Sequence, residues 1–98
     1  MNYVPVFRSI IKSEIDQAYE WYESQRPELG DEFLECIHQQ VNLICQVPEA
    51  YRVIYRDVRR VLVKRFPYAI YYRIISSRII IIAVIHTRKN QNKIRLRT

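Results

Sequence analysis

Gly30 is the only glycine in 98 residues, so the chain has little backbone suited to loose connections, and no Ser/Gly-rich linker, low-complexity tract or internal repeat interrupts it. One small domain over residues 1–98 is the expectation. Cysteine is nearly as scarce. Cys36 and Cys45 are nine positions apart, which on one helix turns them about 180° from each other. That excludes a disulfide scaffold, and with only His38 and His86 beside them the chain has no spaced zinc set. Buried, reduced thiols are expected, and no metal or organic cofactor is indicated. Long apolar runs are missing too. The longest, Ile79 to Ile85, is too short to span a bilayer, and "MNYVPVFRSI" lacks the basic-then-apolar pattern of a secretory signal. A soluble cytoplasmic protein with no membrane partner is the expectation.

Acid is the last scarcity, and it is local. Residues 51–98 hold thirteen Lys and Arg against one acid, Asp57, whereas residues 1–50 hold nine acids against three cations. A basic surface this dense suits a polyanion or an acidic partner. Strand-edge cations that deter aggregation would leave the same composition.

The boundary near residue 50 also separates two periodicities. Ile11, Ile15, Ala18, Tyr19 and Tyr22 form one apolar stripe, predicting a helix over Ser9–Gln25 that Pro27 and Gly30 end. Phe33, Ile37, Val41 and Ile44, flanked by Leu34, Gln40 and Cys45, predict a second helix up to Pro48. The two make an antiparallel hairpin joined by "RPELGD". Before them, "YVPVF" alternates, and its proline suits an edge strand. After residue 50 the period is two. "RVIYRDVRRVLVKR" sets Val58, Arg60, Leu62 and Lys64 against Arg59, Val61, Val63 and Arg65; "PYAIYYRII" follows a Phe66-Pro67 bend, and Ser76-Ser77 turns it into "RIIIIAVIH". That last strand is apolar at both parities and must lie inside the sheet. The expected fold is α+β, ordered β-α-α-β-β-β with "RVIY" as an optional short strand, the helical hairpin covering one face of a small antiparallel sheet. The parities alone leave open which one faces the helices.

"AYEWYESQRPELGDEFLECI", "VPEAYRVIYRDVRRVLVKRFPYAIYYRI" and "IIAVIHTRK" together resemble the RelE/ParE superfamily of type II toxin–antitoxin toxins, in particular its ParE-like, plasmid-stabilisation branch. The resemblance covers nearly the whole chain. Its most specific pieces are the WYE-x-Q turn with Leu-Gly-x-x-Phe after it, the Lys-Arg-Phe-Pro-Tyr-x-Ile-Tyr-Tyr strands and the final Ala-Val-x-His-x-x-Arg. It implies two helices on an antiparallel sheet, growth inhibition, and a cognate antitoxin as partner, with assembly into a higher-order toxin–antitoxin complex a further expectation.

In the ribonuclease members, cations and a histidine at strand ends bind ribosome-bound mRNA and assist attack by the ribose 2′-hydroxyl. Arg65 and His86 match that pattern as catalytic candidates, with Arg59, Arg60, Lys64 and Arg88 as nucleic-acid or target contacts. Such cleavage needs a base, an acid and cations for the phosphorane charge. Thr87 stands where some nucleases carry tyrosine, and no carboxylate maps onto the general base, Glu49 being only a weak candidate. This departure favours the ParE-like members, which bind DNA gyrase and break no bond; a decayed toxin retaining only antitoxin binding is the third reading.

Each candidate has a structural alternative. Arg65 could pair with the acidic helices, His86 could be a hydrogen-bonded strand end, and Tyr68, Tyr71 and Tyr72 are better read as core than as base-stacking platforms. Trp21 and Tyr22 pack locally or anchor the antitoxin. The tail "KNQNKIRLRT" has little to bury and reads as a flexible arm, or as an arm ordered on a nucleic acid or antitoxin.

Overall fold

A computed structural model describes residues 2–89 and 92–97. Strand β1 (Val4–Phe7) leads into helices α1 (Ser9–Gln25) and α2 (Leu29–Gln46), then a single 3₁₀ turn (Pro48–Ala50). Strands β2 (Val53–Tyr55), β3 (Val58–Leu62), β4 (Tyr68–Ile75) and β5 (Arg78–His86) follow, and then a short helix, α3 (Asn92–Arg97). The expected α+β order holds, with "RVIY" supplying β2 as a strand of its own. No helix among the described residues is long and apolar enough to cross a membrane.

The helical hairpin turns in fewer residues than "RPELGD" suggests, because Gly30 lies inside α2 rather than in the turn. Arg26 closes α1 by donating its N–H to Tyr22 O, Pro27 prevents continuation, and Glu28 takes a left-handed φ of 73°. The Glu23 carboxylate then accepts the N–H groups of Glu28 at 3.0 Å and Gly30 at 2.9 Å, capping α2 with negative charge where its dipole is positive. A Cβ at position 30 would meet Glu23 Oε1 and the Tyr19 ring at 2.8 Å. This close approach explains why glycine is tolerated in a helix despite costing about 1 kcal/mol against alanine.

The sheet order is β1-β5-β4-β3-β2. β2 to β5 form the expected antiparallel meander, and β5 is interior; β1 adds to it in parallel, Val4 opposite Arg78 through Phe7 opposite Ile81. Arg59, Val61 and Val63 share the face under α1 and α2, while Val58 and Arg60 lie on the other, which resolves the parity left open above. The helix-side core packs Ile11, Phe33, Ile37 and Ile44 against Ile70, Tyr72, Ile79, Ile81 and Val84. Cys36 is buried and Cys45 half-buried, both as free thiols.

The second face has a smaller core of its own, Val58, Ala69, Tyr71, Ile82, Ala83 and Ile85, closed by Ile94 from α3. The tail therefore does have something to bury, which corrects the reading of a flexible arm for residues 92–97; Asn90, Gln91 and Thr98 lie outside the described residues. Sequence periodicity missed this because a single isoleucine among polar and charged neighbours, Ile94, marks the contact, at 2% exposure.

Beyond Ile81, β5 loses its β1 neighbour, and two side chains take over. Val84 N–H donates to Glu14 Oε1 at 3.3 Å, and Arg97 donates to Ile82 O at 2.8 Å. Arg97 and Glu14 also pair at 2.7 Å. An ion pair thus does for this half of the edge what a strand does for the other half.

Candidate functional site

The end of β5 holds the densest group of candidate residues. His86 sits opposite Tyr68 on β4, their rings 5.4 Å apart and edge to face. Thr87 N–H donates to Pro67 O, Arg88 N–H to His86 Nδ1 at 3.1 Å, and Lys89 N–H to His86 O. This turn holds Arg88 and Lys89 beside the imidazole. Because Nδ1 accepts, the proton of the neutral ring lies on Nε2.

Across from this turn, α1 presents Trp21, 59% exposed, in a T-shaped contact with Tyr22 with centroids 5.0 Å apart. Tyr22 itself is only 8% exposed and packs on Phe33, Phe66 and Tyr68. Of the two residues considered as antitoxin anchors, Trp21 is thus open to a partner, and Tyr22 is mainly core. Burial, and then Tyr22, raise the pKa of the Tyr68 hydroxyl. A recess of about 660 Å³ with mostly apolar walls runs between Trp21, Pro67, Tyr68, His86 and Arg88, and a second of about 240 Å³ continues from Trp21 and His86 to Glu14 and Gln17. The two share Trp21, Tyr68, His86 and Lys89, so they form one groove along the seam between α1 and β5.

Arg65 is elsewhere. It follows β3 with a φ of 71°, a left-handed conformation that costs a non-glycine residue about 1 kcal/mol or more. Its guanidinium lies 5.5 Å over the Phe66 ring and reaches Glu32 on α2 at 2.6 Å. Glu32 is shared with Arg26 at 2.9 Å. The hydrogen bonds from Arg65 first, and Arg26 second, hold its carboxyl below the usual range. Arg65 therefore lines an acidic recess with Glu28, Asp31, Glu32 and Glu35, while His86 lines the groove.

The remaining cations are dispersed. Arg59 donates to the carbonyls of Glu49 at 2.9 Å and Tyr51 at 2.6 Å, clamping the 3₁₀ turn onto the sheet. Arg60 points to the other face, with its Nε on Tyr71 Oη at 3.0 Å. Lys64 is exposed in the bend after β3. Tyr71 and Tyr72 are buried core, as expected, whereas Tyr68 contributes to the groove wall. Sequence reasoning missed Lys89, whose signal was its place directly after Arg88, and Glu14, which no local pattern marks. Among the described residues no group of three His, Cys, Asp or Glu could hold a metal ion.

Tyr72 shares the clamp with Arg59, donating its hydroxyl to Pro48 O at 2.6 Å. Burial pushes that hydroxyl up to about 12 from the ordinary 10.0. The folded protein keeps a proton that the unfolded chain releases, so this contribution is intact below pH 10 and is lost as pH rises toward 12. Stability should fall by roughly 2–3 kcal/mol over that window from this group alone. Tyr72→Phe starts lower, because Pro48 O loses its donor, but declines less steeply. Urea titrations at a series of alkaline pH values check this; parallel declines would remove Tyr72 as the cause.

No curated protein sequence matches the chain. Among solved structures it is similar to one described as the chromosomal ParDE TA system from P. aeruginosa, with a TM-score of 0.76 at 23% identity over 88% of this chain and 96% of that one. The family model described as ParE toxin of type II toxin-antitoxin system, parDE, matches residues 7–91. That match runs from the last residue of β1 through the turn that carries Arg88 and Lys89, and it shows that the chain belongs to the ParE toxin family of type II toxin–antitoxin systems.

Proposed function

We propose that this toxin inhibits growth by binding DNA gyrase, breaking no bond itself, and that a cognate antitoxin neutralises it. The observation that carries the choice is the separation of Arg65 from His86. RNA cleavage by a ribose 2′-hydroxyl needs its cation, acid and base around one phosphate. Here the guanidinium is committed to Glu32, and the imidazole faces a different groove whose one lining carboxylate, Glu14, is itself held by Arg97. Binding asks for less: an open aromatic flanked by cations, which Trp21, Arg88 and Lys89 supply. An antitoxin segment that is disordered alone would order across the toxin, with acids if it docks on the groove and with cations if it docks on the helical hairpin.

The test is a supercoiling assay with purified gyrase, run with the toxin alone and with the product of the neighbouring gene added. Inhibition that the second protein relieves is expected, together with unchanged RNA 5′ ends after induction in a bacterial host. New ends within translated frames, with gyrase unaffected, would make the toxin a ribosome-dependent ribonuclease.

A further inference from the structure

Of the cations in the basic half, Arg65, Arg73 and Arg97 each face a carboxylate within 3 Å, whereas Arg52 and Arg78, like the cations of the groove, are exposed and form no ion pair among the described residues. Arg88 and Lys89 are exposed and form no ion pair among the described residues; Glu14, which shares the smaller recess with Lys89, is itself paired with Arg97. Between the two groove cations and α1 lies Trp21, the most exposed of the large hydrophobic side chains described. Tyr22 meets it edge to face at 83°, a contact that occupies at most one face of the indole. A flat π-face set beside free cations is the pairing that holds single-stranded nucleic acid, since every base can stack and every linkage carries a phosphate.

We infer that this groove binds single-stranded DNA, a base stacking on Trp21 and the flanking phosphates lying against Arg88 and Lys89. A duplex would keep its bases stacked on one another and out of reach of the indole. Recognition of RNA through the sugar calls for an acceptor for the 2′-hydroxyl; His86 Nδ1 is already taken by the Arg88 N–H and the Glu14 carboxylate by Arg97 and the Val84 N–H, which leaves the Gln17 amide of the smaller recess for that role. The choice of DNA rests on the gyrase reading, which places the toxin where DNA is handled.

Trp21 is the only tryptophan, so its emission reports on the site directly. Titrating the toxin with a thymidine oligonucleotide of about a dozen nucleotides should quench that emission, and affinity should fall with salt. Labelled-oligonucleotide anisotropy then reads the variants. Trp21→Ala should weaken binding at least about fivefold, with Trp21→Phe intermediate. Arg88→Ala with Lys89→Ala should lower the log–log salt slope by about 1.4, two contacts at about 0.7 each. Arg52→Ala with Arg78→Ala removes two exposed cations that do not line the groove and should change affinity less than twofold. Absence of quenching, equal loss in that control pair, or quenching by a duplex as strong as by the single strand overturns the inference. So does a uridine oligonucleotide binding tenfold tighter, which would assign the groove to RNA. Gyrase is absent from these titrations, so their failure leaves the gyrase reading standing, and a null supercoiling assay with DNA binding intact would do the reverse.

Discussion

Phe33→Ala should destabilise the fold by about 3–5 kcal/mol, a large share of the roughly 5–15 kcal/mol that holds a small domain together. Phe33 has no exposed surface, and its ring centroid lies 5.2 Å from Tyr22, 5.3 Å from Phe66 and 5.1 Å from Tyr68. Those three partners come from α1, the bend after β3, and β4, so one side chain joins α2 to each. Small aliphatic neighbours could close over a missing ring; three stiff aromatics cannot, and a cavity remains. A urea titration should show a lower midpoint with an unchanged slope. Because Tyr22 and Tyr68 also line the groove, the Trp21 emission of the variant should shift while the protein is still folded. A loss below about 1 kcal/mol would mean that the hairpin is held to the sheet by the aliphatic core alone.

Glu14→Ala should cost about 2–4 kcal/mol by a different route. The Arg97 and Glu14 side chains are only 18% and 15% exposed, so the pair gains from a low local dielectric and removal of one member strands the other. Glu14 has a second duty in accepting from Val84 N–H, and alanine leaves that donor on an open strand edge. Glu14→Gln keeps an acceptor there and should recover part of the loss, whereas Arg97→Ala should release Ile94 from the second core. The double variant should be less destabilised than the sum of the singles, with a coupling of about 1 kcal/mol or more. Additive losses would show that Glu14 and Arg97 act on β5 separately.

Local pattern carried the elements well. The stripe Ile11 to Tyr22 fixed α1 at Ser9–Gln25, and the double-parity run Ile79 to Ile85 marked the interior strand. Periodicity describes how a segment meets a surface, and it is silent on which segment lies beside it. The parallel seating of β1, the Arg65–Glu32 pair and the Glu14–Arg97 pair join distant parts of the chain, so no window of sequence contains both halves. Arg65 is the instructive case. A left-handed residue usually announces itself as glycine or asparagine, and arginine gives no such sign. Its alternative reading as a partner of the acidic helices is the contact that the structure places there. Arg65→Ala would keep the strained backbone while removing one of Glu32's two partners, so lost toxicity in that variant must be weighed against lost folding.

The interior place of β5 has a consequence in time. It is the last strand in the chain, yet β1, the first, has no other partner in the sheet, and β4 has β5 along one of its sides. A growing chain on the ribosome can coil its helical hairpin early, from local contacts. It cannot close the sheet, or bring the His86 turn up to Trp21, until Ile79–His86 has emerged. The groove therefore forms only after that point, and a ribosome stalled earlier releases a fragment without it.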